Sequence, residues 1–458
     1  MGNKLTKSRK KIDKPTPAVY PNQPVRPLRR SVEGNTSVVY SNFPRIVAEL
    51  HHYRGSVRNL EDEDEEDEQP RRFHEEVHCC VFSPDDEALL LTSTTPIPCG
   101  PFTPDIGCGH LREFDINSGS CKRELLTYHS QECDISSDGN LVSFITNSGQ
   151  GEVALVKRNR SSYAEIAERV DKFQPCCNGM TGQTLCCKFS PDARHIVSAA
   201  SLDFHSMRET NELRLWNVKS MQIEARVVLR DITDFCGFVT RCEFSPDGQY
   251  LAVSTSKEQL CILRSKNLDV VTVLRRRCRG NVCWSIFNPA WRFEVLACCM
   301  QDGRVEIWNK VEVHSSAHAG ELRYAREKER KVSFSRLLHC CQYSPDGKMI
   351  AVGTSDANII MLGAETLDSL FLLECIKEPS PFGLRIQNTI VYSIAFSKSQ
   401  QYVAAGYSDS MVRVWAMPMR FDLQHLCRVV ILHSVPGNKI NSLPVPNGIK
   451  NYLLNNYK

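Results

Sequence analysis

No apolar run in this 458-residue chain approaches the roughly 20 residues that a membrane-spanning helix needs, which argues against an integral membrane protein. An excess of one charge is missing too. The 56 Lys and Arg against 53 Asp and Glu leave +3, with no overall signature of a nucleic-acid partner. Met1-Gly2-Asn3-Lys4 is too charged to open the apolar core of a secretory signal, so the 21 cysteines are expected in a reducing, cytoplasmic setting rather than a disulfide framework. The Cys-x-x-Cys spacing of zinc sites does not occur, nor does a Gly-rich phosphate loop, a nucleophile elbow or an acid–base pair of recognisable spacing. These absences point to a chain that is not an enzyme and uses no metal or cofactor.

What is present is a repeat. Phe82-Ser83-Pro84-Asp85 recurs as Phe189-Ser190-Pro191-Asp192, Phe244-Ser245-Pro246-Asp247 and Tyr343-Ser344-Pro345-Asp346. Looser copies stand at Ile135-Ser136-Ser137-Asp138, Phe287-Asn288-Pro289 and Phe396-Ser397-Lys398-Ser399, which makes seven anchors 43 to 56 residues apart. Each lies between two short strand patterns joined by its turn, and a third strand often ends in Trp, at Trp216, Trp308 and Trp415. Such units cannot bury their faces alone, so they must stack around a common axis. Five cysteine doublets (Cys79-Cys80, Cys176-Cys177, Cys186-Cys187, Cys298-Cys299 and Cys340-Cys341) fall mostly in these strands. Adjacent strand residues point to opposite faces, so the doublets read as small fillers between packed units rather than metal ligands.

These residues resemble the WD-repeat family, although Asn217, Asn309 and Ala416 follow the tryptophans where Asp is usual. The resemblance implies an all-β fold, a seven-bladed β-propeller over residues 73–419. Ser37-Val38-Val39-Tyr40 is the expected closing strand, within a 36–72 region that also holds the acidic run Glu61 to Glu68. The stretch from Asn159 to Gln174 reads as an insertion or helix, and Arg323 to Lys331 as a helical insertion. His314 and His318 read as loop histidines.

Beyond residue 419 the apolar period changes. Leu423, Leu426, Cys427, Val430 and Ile431 form one helical stripe with Asp422 placed to cap it, and Pro436-Gly437 ends it. Leu443-Pro444-Val445-Pro446 then favours an extended segment, and Ile449, Tyr452, Leu453 and Leu454 return to helical spacing. Neither helix is long enough to stand alone, so each needs a partner surface, in the propeller or in another protein. This tail, 420–458, resembles a small α-helical SOCS box. The resemblance implies that Leu423, Leu426, Cys427 and Ile431 bind Elongin C, with Elongin B alongside, and that Leu443, Pro444, Val445 and Pro446 bind cullin-5 and so bring in its RING-box protein. The segment from about Tyr392 through Leu454, last blade plus tail, resembles the WD-repeat and SOCS-box proteins more closely than the earlier blades do, which implies a ubiquitin-ligase subunit whose propeller holds a target. Val218, Lys310 and Met417 stand where cullin-4 receptors often carry Arg, which disfavours that class.

Residues 1–35 read as a disordered basic and Pro-rich tail. Gly2 with Thr6 and Lys7 fits an N-myristoylation signal, and the nearby lysines and arginine would add attraction to an anionic membrane surface. A membrane-tethered scaffold with no ligase role is the alternative reading. For the target, Arg275, Arg276, Arg277 and Arg279 form the densest basic cluster, suited to an acidic or phosphorylated segment.

Overall fold

The anchor turn is the local unit from which the architecture grows. Ser83 Oγ accepts the N–H of Ala88 at 2.9 Å and donates to Asp85, whose carboxylate accepts the N–H of Glu87 at 3.1 Å. The same serine-to-i+5 bond closes the turns at Ser136, Ser190, Ser245, Ser344 and Ser397, at 2.9 to 3.0 Å. Each turn also places one residue in the left-handed region: Gly139, Gly248 and Gly347 at φ of 71° to 74°, but Asp86, Ala193 and Gln400 at 56° to 63°.

In the computed structural model the described residues are 45–51, 76–94, 108–128, 131–146, 152–158, 171–173, 182–202, 210–229, 239–255, 259–275, 282–291, 294–311, 323–333, 337–374, 389–417, 437–446 and 449–450. Among them 28 strands form seven four-stranded antiparallel sheets. The innermost strands, in blade order, are β2 (Glu76–Phe82), β6 (Cys133–Ile135), β10 (Gly182–Phe189), β14 (Val239–Phe244), β18 (Val282–Phe287), β22 (Leu338–Tyr343) and β26 (Val391–Phe396). Each touches the next and β26 returns to β2, so the chain is a seven-bladed β-propeller.

Its core is a set of seams. Seven apolar clusters each combine residues of two consecutive blades, one cluster for every seam including the closing one. The cysteine doublets divide between seams. Cys79 packs toward blade 2 and Cys80 toward blade 7; Cys186 toward blade 4 and Cys187 toward blade 2; Cys298 toward blade 4 and Cys299 toward blade 6; Cys340 toward blade 7 and Cys341 toward blade 5. All eight are at most 5% exposed, and burial pushes the Cys80 thiol up to about 12. Cys176 and Cys177 lie outside the described residues, as do His314 and His318.

Three sequence expectations are corrected. The closing strand is β1 (Arg45–His51), which pairs antiparallel with β28 (Met411–Ala416), whereas Ser37–Tyr40 lies outside the described residues. Arg323–Lys331 is not helical but is β21, the outermost strand of blade 5. An outer strand needs little apolar surface, and here only Tyr324 is buried. Cross-strand ion pairs hold the remainder: Arg304–Glu329 at 2.8 Å and Arg326–Glu306 at 3.4 Å, with Arg330 reaching Asp368 of blade 6. In blade 2, Asp171–Phe173 is a fourth strand, β9, paired with β8 (Glu152–Lys157), so that end of the 159–174 stretch is neither insertion nor helix.

Candidate functional site

Strand direction gives the propeller two distinct ends. Every Ser-Pro-Asp type turn joins an innermost strand to the next, so all lie at one end; the connections between blades leave from the other. β17 (Val270–Arg275) finishes at that other end, which is where Arg275 stands. Arg276, Arg277 and Arg279 lie outside the described residues.

At the same end, where β2 and β26 begin, a polar cluster crosses the seam of blades 1 and 7. The rings of His78 and Tyr392 lie 4.9 Å apart, His78 Nε2 is 2.7 Å from Thr94 Oγ1, and the Tyr392 hydroxyl donates to Glu76 at 3.2 Å. Burial pushes the Glu76 carboxyl above its ordinary range, partly offset by that hydrogen bond.

Deeper lies a group of charges that the sequence reading missed. Arg241 of blade 4 pairs with Glu132 of blade 2, passing blade 3, a contact that can be made only through the central channel. Glu132 also accepts the N–H of Cys187 at 3.1 Å and lies 3.5 Å from Lys188 Nζ. Asp134 accepts the N–H of Phe189 at 2.8 Å and also faces Lys188. The Arg241 guanidinium sits 3.8 Å above the Trp284 ring of blade 5. Burial and Arg241 push the Lys188 ammonium down, but Asp134 and Glu132 outweigh them and hold it above its ordinary value. Glu243, also of blade 4, is pushed up chiefly by burial. The available signal was position: Asp134, Lys188 and Glu243 all stand immediately before an anchor aromatic or its equivalent, Ile135, Phe189 and Phe244.

Past the last blade, Leu423, Leu426, Cys427 and Ile431 lie outside the described residues, as does Gly2. Gly437–Ser442 forms a 3-10 turn whose Ile440 is fully buried. The segment after it is more tightly turned than the extended form expected: Val445 N–H donates to the Leu443 carbonyl at 2.8 Å, an i to i+2 bond centred on Pro444, whose fixed φ suits such a turn. Leu443 and Val445 are half-buried, while Pro444 and Pro446 are exposed. The N–H groups of Ile449 and Lys450 both donate to the Pro446 carbonyl, at 2.9 and 3.1 Å, opening a helical turn with Ile449 45% exposed. That leaves an apolar side chain at the surface of this segment.

Comparison with known proteins identifies both parts. Residues 421–454 match the family model of the SOCS box, and residues 384–416 match that of the WD domain, G-beta repeat. The "WD repeat and SOCS box-containing protein 1" of Danio rerio is 37% identical over 60 residues, 13% of this chain and 14% of that protein; the Homo sapiens protein of the same name is 38% identical over the same length and shares. A "Guanine nucleotide-binding protein subunit beta" of Solanum tuberosum is 23% identical over 244 residues, 53% of this chain and 58% of its own. The chain thus spans well under two thirds of the length of these relatives. Seven four-stranded blades carry a WD-repeat match on the last of them, and a SOCS-box match starts five residues after its final strand, so the chain joins a WD-repeat type β-propeller to a SOCS box.

Proposed function

We infer that the chain is the target-recognition subunit of a SOCS-box ubiquitin ligase. The propeller holds the target at the end opposite the Ser-Pro-Asp turns, and the tail recruits Elongins B and C together with cullin-5 and its RING-box protein. Catalysis is by proximity: the subunit supplies no nucleophile and brings a target lysine near a charged conjugating enzyme carried by other subunits. The observation that supports this most directly is continuity. Strand β28 ends at Ala416 and the SOCS-box match begins at residue 421, so the recruiting element follows the last blade with almost no intervening chain.

Leu423 and Cys427 are one helical turn apart in the expected helix and would enter an apolar pocket of Elongin C together. Arg275, Arg276, Arg277 and Arg279 would receive an acidic or phosphorylated segment of the target. Affinity purification of the intact protein beside a Leu423→Ala, Cys427→Ala double variant tests the reading. Elongins B and C are expected with the intact protein and absent from the variant; their absence from both would leave a scaffold propeller.

A further inference from the structure

The seven seams are tethered unequally. At six of them the outermost strand of one blade runs into the innermost strand of the next through 4 to 17 residues, from 129–132 to 374–390. At the closing seam, β1 of blade 7 is joined to β2 of blade 1 by the 24 residues 52–75.

The turns show how an ordinary seam is packed. The left-handed residue of one turn faces the anchor proline region of the preceding blade. A Cβ on Gly139 would lie 3.4 Å from Pro84 Cδ, one on Gly248 3.6 Å from Pro191 Cδ, and one on Gly347 2.9 Å from Ala290 Cβ. At the closing seam both partners change. Asp86 of blade 1 occupies the glycine position at φ 58°, and Lys398 of blade 7 occupies the proline position. The Asp86 carboxylate accepts two backbone N–H groups of blade 7, those of Lys398 and Ser399, each at 2.7 Å. Proline has no N–H to give, so the Lys398 bond exists only because position 398 is not proline. Asp also tolerates the left-handed region better than most residues, which makes it the acidic side chain suited to this position.

We propose that Asp86 and the backbone of Lys398 and Ser399 form a clamp that closes the propeller, making two charge-assisted hydrogen bonds where Gly139, Gly248 and Gly347 only pack against the turn of the preceding blade. Asp86 is a positioning residue: it ties blade 1 to the blade that leads into the SOCS-box match. The clamp does not rest on the ligase reading above.

The test is a pair of substitutions that each look harmless. Asp86→Gly relieves the left-handed strain, and Lys398→Pro restores the residue found at five of the other six anchors, yet each single variant is expected to unfold at lower denaturant concentration than the parent. The double variant recreates an ordinary turn pair and is expected to recover part of the loss. Hydrogen exchange reads the bonds directly, with the Ser399 amide exchanging about tenfold faster or more in Asp86→Gly. Asp86→Asn, which keeps one acceptor oxygen, should fall between parent and Asp86→Gly. A double variant that loses the sum of the single losses, or an Asp86→Gly variant at least as stable as the parent, overturns the clamp. Elongin capture by the full-length parent is measured alongside: its failure would sink the ligase reading while leaving the stability cycle to decide the clamp.

Discussion

Arg241 and Glu132 meet through the central channel of the propeller, from blades 4 and 2, with both residues more than 90% buried and with Lys188 of the intervening blade 3 sharing the same carboxylate. The pair links three blades at the level of their innermost strands. Trp284 extends the contact to blade 5 by lying beneath the guanidinium. This half of the channel is therefore occupied by charge.

Breaking the pair on one side should be costly. Glu132→Ala leaves Arg241 and Lys188 buried with one acceptor fewer, and a loss of about 3–5 kcal/mol is expected. Glu132→Leu combined with Arg241→Met removes both charges and should lose far less, because no charge of the pair is left behind. Denaturant unfolding of the two variants measures the contrast.

The left-handed turn residues give a second, opposite-signed pair. Ala193 stands at φ 56°, where a Cβ is unfavourable, so Ala193→Gly is expected to leave stability unchanged or raise it by up to about 1 kcal/mol. Gly347→Ala has the reverse outcome. Its new Cβ would collide with Asn288 Oδ1, the side chain whose Nδ2 donates to the Gly347 carbonyl at 3.0 Å. A lowered melting temperature is expected, from both backbone strain and the displaced asparagine.

Acid should weaken blade 1 over a defined range. The His110 hydrogen bond, ahead of Arg112, holds the Glu124 carboxyl down at about 2 against the usual 4.5, and Lys122 holds Asp115 down at about 2 against 3.8. Both carboxyls have folded-state values below their unfolded ones. Their stabilisation is therefore complete above about 4.5 and disappears as the pH falls toward 2. Unfolding midpoints measured from pH 6 to about 2 should decline through this window, and the decline should be shallower in a Glu124→Gln, Asp115→Asn variant. An equal decline in the variant would assign the acid sensitivity to other groups.

Much of the fold was legible because its determinants are local. A serine bonding five residues ahead and an aspartate bonding two ahead mark the turn without reference to the rest of the chain, so Ser83-Pro84-Asp85 and its relatives disclose the blades one by one. The cysteine doublets were readable for the same reason: alternation along a strand sends Cys79 and Cys80 to different seams wherever the strand lies. Strand β21 misled because its Arg–Glu–Lys alternation resembles a solvated helix, while its ion partners lie elsewhere, Glu306 on the neighbouring strand and Asp368 in a turn of blade 6.

The sequence by itself determined the repeat, the turns, the partition of small apolar residues between faces and the SOCS-box pattern, all of which depend on neighbours a few positions away. Only the tertiary structure decided that Arg45–His51 closes the ring on Met411–Ala416, that Glu132 meets Arg241 through the channel, and that Asp86 accepts the amides of Lys398 and Ser399. Those contacts join residues separated by one hundred to more than three hundred positions, and no periodicity encodes which distant partner a charge or an unpaired strand edge will find once the blades come round to meet.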